Sequence, residues 1–129
     1  MGSINLSSKK EYPFFVENPV PNDDIPRHRM TRAFRVDSIV ALKIGGSGTY
    51  DYELRHSPNA NDQGAGTLIH SVAGVNNETT GDIDTPPGDF AAITIPAGDW
   101  VWLEIPAAST GLARVVAADV RMLGVELGG

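Results

Sequence analysis

Three groups of side chains in this sequence could do chemistry: clustered carboxylates, a few histidines and one run of arginines. Asp82, Asp84 and Asp89 fall within Gly-Asp-Ile-Asp-Thr-Pro-Pro-Gly-Asp. Carboxylate oxygens crowded on a tight loop are the donors that Ca²⁺ prefers. The run lacks the glycine and closing glutamate of an EF-hand loop, and turns use Asp and Gly for plain backbone reasons. Whether this loop binds calcium stays open at the level of sequence. His56, His70 and Asp62 could supply nitrogen and oxygen ligands to a metal. Histidines spaced across a loop serve more often as hydrogen-bonded strand residues, so no metal ligand is assigned.

Nucleophilic chemistry fares no better. Ser47 sits in Gly-Gly-Ser-Gly-Thr, but a nucleophile elbow needs Gly-x-Ser-x-Gly between a strand and a helix. With His28, His56 and His70 as the only histidines, no Ser-His-Asp triad is expected. Asp51 and Glu53 share one strand face with Arg55, whereas glycoside hydrolysis needs two carboxylates facing each other across a cleft. Asn77-Glu78-Thr79 matches a glycosylation acceptor by chance. No catalytic residue and no cofactor are expected. Arg27, His28, Arg29 and Arg32 form the one cationic cluster. Guanidinium groups recognise carboxylates or phosphates, and docking on an acidic neighbour is the preferred reading.

Charge supports that preference. The net charge is −6; residues 1–35 carry six basic and four acidic side chains, and residues 36–129 carry four and twelve. An acidic body repels nucleic acid. No segment approaches the roughly 18 apolar residues of a membrane span, and residues 1–10 have no apolar run of a secretory signal. Zero cysteine excludes disulfides and thiolate sites. Neither nucleic acid nor membrane is an expected partner.

The elements that must position these groups read as strands. Fourteen Gly and nine Pro in 129 residues fit short strands and turns better than helices. Residues 33–44 are β-branched and apolar, with a phase shift at Asp37-Ser38 that predicts a bulge or a strand buried on both faces. Residues 49–56 alternate cleanly. Residues 67–72 make a short strand between polar loops at 57–66 and 73–82. Residues 90–105 hold two apolar-rich runs around Pro-Ala-Gly-Asp. In the second run Trp100, Trp102 and Glu104 alternate with Val101, Leu103 and Ile105, so both faces of that strand need cover. Residues 112–127 read as one bent strand or two; a helix over 113–122 is disfavoured by Val115-Val116 and flanking glycines. Seven or eight strands without a convincing helix predict an all-β chain with a single, jelly-roll-like β-sandwich over residues 32–129.

Residues 1–31 read as an extended N-terminal arm. Pro13, Pro19, Pro21 and Pro26 interrupt any regular element, while Tyr12, Phe14 and Phe15 look like anchors for a surface. At about 3.3 Å per residue such an arm reaches on the order of 100 Å. The alternative is that the two Phe residues cap the chain's own sandwich.

Phe34-Arg35-Val36-Asp37-Ser38-Ile39-Val40-Ala41, Tyr52-Glu53-Leu54-Arg55-His56-Ser57-Pro58 and Ile95-Pro96-Ala97-Gly98-Asp99-Trp100-Val101-Trp102-Leu103-Glu104 resemble small virion proteins of tailed bacteriophages. These are capsid decoration (cement) or tail-associated β-sandwich proteins. The resemblance spans residues 32–129. It implies a non-enzymatic module on the capsid surface of a virion, assembled in the host cytoplasm and often a symmetric oligomer. The expected partners are the major capsid protein and further copies of the chain, with a trimer favoured. Tyr12, Phe14 and Phe15 would then anchor the arm. Arg27, Arg29 and Arg32 would meet acidic groups on the shell, and Trp100 or Trp102 would fill a subunit interface or the core. The alternative function is a tail or head-fibre sandwich that binds host-surface glycans through its polar loops.

Overall fold

Along residues 50–56 every second side chain is buried: Tyr50, Tyr52, Leu54 and His56 are covered, while Asp51, Glu53 and Arg55 stay half-exposed. That two-residue period is what a strand with one covered face requires, and it recurs through the chain. The computed structural model describes residues 9–22, 27–60, 65–106 and 112–128. Among them lie nine strands: β1 Lys9–Glu17, β2 Arg27–Arg29, β3 Phe34–Ile44, β4 Tyr50–Ser57, β5 Thr67–Val75, β6 Asp82–Asp84, β7 Thr94–Ile95, β8 Trp100–Glu104 and β9 Ala117–Glu126. A single 3-10 turn, Leu112–Arg114, precedes β9. All pairings are antiparallel.

The strands form two sheets. One has the order β1-β9-β3-β6, with β7 also pairing β3; the other has the order β2-β8-β4-β5. Their inner faces close on one apolar core, including Phe14, Val16, Phe34, Ile39, Leu54, Val101, Leu103, Val120 and Met122. Each such side chain contributes roughly 1.5–3 kcal/mol on burial. The register of β3 against β9 shifts between Val36 and Ser38. The extra residue, Asp37, resets the alternation, so Val36 and Ile39 both face inward, as a bulge requires. Opposite this point Gly124 lets the Phe34 ring lie directly on β9; a methyl group there would strike the ring and the Arg35 carbonyl.

Polar groups close the edges. His28 of β2 donates from Nε2 to the Pro13 carbonyl of β1 at 2.6 Å. His70 of β5 donates from Nε2 to Asp84 Oδ2 of β6 at 2.7 Å. One histidine therefore bridges the two sheets along each long side. His56 donates from Nδ1 to Asp99 Oδ2 at 2.7 Å and ties down the turn before β8. Lys43 is 2% exposed. Its Nζ donates to the carbonyls of Gly46 (3.1 Å) and Gly48 (2.9 Å) and to Asn76 Oδ1 (2.9 Å), with Glu78 at 3.8 Å. Three acceptors satisfy all three protons of the ammonium, which is what makes its burial tolerable.

Residues 9–17 are not the expected arm. They pair with β9 along their whole length, from Lys9 opposite Val125 to Glu17 opposite Ala117. Residues 27–29 pair with β8. Pro13 is tolerated because β1 is an edge strand, where a missing N–H costs no ladder bond. Of the remainder of the segment, residues 1–8 and 23–26 lie outside the described residues. Two smaller differences stand: the first run of residues 90–105 is strand only at Thr94–Ile95, and Asp82–Asp84 is a strand the sequence reading placed at a loop boundary. No helix forms over 117–122, where β9 runs.

Phe14 is 0% exposed and Phe15 is 49% exposed, so adjacent residues should behave oppositely. In chemical denaturation Phe14→Ala should cost about 3–5 kcal/mol and Phe15→Ala less than about 1 kcal/mol; equal costs would contradict this assignment. Burial pushes the phenols of Tyr50 and Tyr52 well above their ordinary range, with Asp119 and Asp84 respectively adding to the effect. Both phenols stay protonated in the fold where the unfolded chain ionises. Their contribution to stability is full below about pH 10 and is lost as pH rises further. Ultraviolet titration should show both appearing as phenolate only on alkaline unfolding.

Candidate functional site

The outer face of the β2-β8-β4-β5 sheet gathers the charged and aromatic residues. Alternation sends Trp100, Trp102 and Glu104 of β8 to this face while Val101 and Leu103 enter the core. The register sets Arg27 opposite Trp102 and Arg29 opposite Trp100 on one side. On the other it sets Arg55 opposite Trp102 and Glu53 opposite Glu104.

Trp102 is fully buried although it lies on an outer face. The Arg27 guanidinium sits 5.0 Å from its ring centroid, a cation–π contact. Gly66 packs so close that a methyl group there would meet the indole at 2.9 Å. The indole Nε1 donates to Glu104 Oε2 at 2.6 Å. The cover comes from this chain itself, not from a neighbouring subunit. Arg55 donates through Nε and Nη2 to Glu53 Oε1 at 3.0 and 2.8 Å. Its Nε lies 3.9 Å from Glu104 Oε1, and its Nη1 reaches the Gly66 carbonyl at 3.4 Å. Glu53, Arg55, Glu104, Trp102 and Arg27 thus form one continuous network. Beyond it, Trp100 is half-buried and Arg29 is exposed.

The face presents the edge of Trp100 and the exposed Arg29 guanidinium beside a network of two arginines and two glutamates, on a chain of net charge −6. Such a surface suits carboxylates on a partner.

The other candidates scatter. Phe14 is in the core; Tyr12 is half-buried, its ring 5.1 Å from that of Phe34 and 5.4 Å from that of His28. Phe15 points outward from the opposite sheet, and Arg32 is exposed in the bend between β2 and β3. His56 and His70 engage different carboxylates, and Asp62 lies outside the described residues. Asp84 accepts from His70, while Asp89 accepts the Thr85 N–H at 2.9 Å. Among the described residues no three His, Asp or Glu side chains gather as a cation site. Asp51 accepts the Gly74 N–H at 2.8 Å instead of facing Glu53 across a cleft. Asn77 uses Oδ1 to accept the N–H groups of Thr79, Thr80 and Gly81 and so builds its own loop. Sequence reading missed the tie from Glu53 and Arg55 to Glu104. Their strand parity held the signal, but the pairing of β4 with β8 was needed to read it.

No protein-family model matches the chain, and no curated protein matches it significantly.

The two tryptophans should differ in solution. Iodide should quench Trp100 fluorescence and leave Trp102 largely unaffected, so Trp100→Phe should remove most of the quenchable emission. Quenching that persists in Trp100→Phe would mean that Trp102 is open to solvent.

Proposed function

We propose that the chain is a non-enzymatic capsid decoration (cement) protein of a tailed bacteriophage, working as a symmetric oligomer on the virion shell. Its docking surface is the outer face around Arg29 and Trp100, and its partner surface is an acidic patch of the major capsid protein. The observation that carries this reading is an exposed arginine beside a half-buried tryptophan on a chain otherwise strongly acidic. The strand order supports it. Successive strands cross repeatedly between the sheets β1-β9-β3-β6 and β2-β8-β4-β5, and we read this as a jelly roll, two interleaved Greek keys. The resemblance of residues 32–129 to phage virion sandwiches points the same way.

Physically, each copy contributes a modest contact, and the oligomer raises its effective concentration on the lattice. The arginine contribution weakens with salt because Arg29 is solvent-exposed. Arg27 supports the site by holding Trp102 in place; Arg32 adds charge at its margin.

Co-sedimentation with capsids of the cognate phage tests the proposal. The protein should pellet with capsids at low salt. Arg29→Glu and Trp100→Ala should each weaken binding by about tenfold or more, the scale of one lost charge-assisted or aromatic contact. A folded protein indifferent to capsids overturns the proposal, and saturable binding to host-surface glycans in its place would support a fibre module.

A further inference from the structure

The outer face of the other sheet carries a second, different surface. The register aligns Phe15, Asp119 and Leu42 in one row across β1, β9 and β3, and Pro13, Arg121, Val40 and Ile83 in the next. Phe15 is 49% exposed and Ile83 is 58% exposed, so this face shows large apolar side chains that its own chain leaves uncovered. On the β6 side of β9 lies a depression of about 250 Å³, floored by Val40 and Leu42 and flanked by Thr80, Gly81, Asp119 and Arg121. On the other side of β9 stands the Phe15 ring. Between knob and hollow runs a charged pair: Arg121 Nη2 lies 3.3 Å from Asp119 Oδ2, and Nη1 lies 3.2 Å from Glu11 Oε2.

We propose that this face binds a second copy of the chain about a two-fold axis that runs parallel to β9 in the plane of contact above it. Such an axis exchanges the two sides of β9, so Phe15 of each copy enters the other's hollow between Leu42 and Thr80. This is the self-complementarity of an isologous interface. The same axis sets the Asp119–Arg121 pair of one copy over its counterpart in the same sense; each Arg121 already bonds Asp119 and Glu11 of its own chain, so no charge is buried alone. Nine residues each on β1, β9 and β3 and the three of β6, at about 4.8 Å between strands and about 3.4 Å per residue, give roughly 500 Å² of face per copy. That is below the roughly 800 Å² per partner of a standard specific interface. The pair is therefore a reversible dimer. The inference deepens the oligomer part of the proposed function, replaces the expected three-fold by a two-fold, and leaves the Arg29 face free.

Sedimentation equilibrium of the full chain tests it, with capsid pelleting run separately. Wild type should dimerise in a concentration-dependent way. Phe15→Asp, at an exposed position, should keep its circular dichroism and shift to monomer. The chain has no cysteine, so a Phe15→Cys, Thr80→Cys double variant gives a direct geometric check. Within one chain the two positions lie three strand spacings apart, roughly 14 Å, beyond the ~7 Å Cα limit of a disulfide; between copies they meet. Oxidation should yield a covalent dimer on a non-reducing gel. A wild type that stays monomeric, or a dimer unchanged by Phe15→Asp and uncrosslinked by oxidation, overturns the inference. A monomer that still pellets with capsids would sink this interface and leave the decoration function standing.

Discussion

The ladder between β1 and β9 is the constraint on which the rest of the structure depends. It joins residues 9–17 to residues 117–125 over nine consecutive partners. β9 in turn pairs with β3 along ten positions, so the last strand lies between the first and the third. Closing so long a loop is entropically costly before any contact rewards it. The apolar residues that β1 brings, Phe14 and Val16 with Tyr12 packed beside them, help to offset that cost. Without β1 the inner side chains Val120 and Met122 would lose their cover at the sheet edge, and β9 would present a long open edge. With β1 in place the edge is blunted by Pro13, Lys9, Lys10 and Glu11, residues that discourage further pairing.

The second requirement is that two open sheets stay together without disulfides. Hydrophobic contact between inner faces is non-directional and does not fix the lateral offset of one sheet on the other. The histidine bonds do. His28 to Pro13 and His70 to Asp84 connect opposite long sides of the sandwich, while Lys43 draws the β3–β4 turn and the segment after β5 around a single ammonium. The His70 and Lys43 bonds lie in partly buried places, where leaving a group unpaired is expensive. Among the described residues, His56, His70, Asp84 and Asp89, which hinted at metal chemistry in the sequence, serve as fasteners along the sandwich margins.

How much of this was legible follows from what local patterns encode. The clean alternation at 50–56, the two-faced strand at 100–104 and the phase break at Asp37 were all readable, because period two and its interruption are local properties. The status of β1 was not. Four prolines in the first 26 residues resemble an unstructured arm, and only the pairing partner, a hundred residues away, turns Pro13 into an edge-strand residue. β6 escaped for a related reason: three residues, Asp-Ile-Asp, carry too little pattern, and β3 defines them as a strand. Trp102 shows the same limit at the site. That both faces of its strand need cover was readable, but which tryptophan met the core and which a subunit interface was left open; Arg27 and Gly66, arriving from distant segments, cover Trp102.

The two outer faces differ in a way that bears on what each can bind. On the four-stranded sheet, charges are bonded to one another within the face, Arg55 to Glu53 and Glu104, with Trp102 as their floor. Burying such a pre-paired network against a partner removes little hydration that is not already replaced, so the desolvation penalty stays small and the exposed Arg29 supplies orientation. On the five-stranded sheet the balance is apolar, with Phe15 and Ile83 meeting water and a single compensated Asp119–Arg121 pair between them. A face of that kind gains from burying area and needs shape to define its partner. One sandwich thus presents a polar surface and an apolar surface back to back, separated by the thickness of its own core. The proposed self-association and the proposed attachment to a shell would therefore not compete for the same residues.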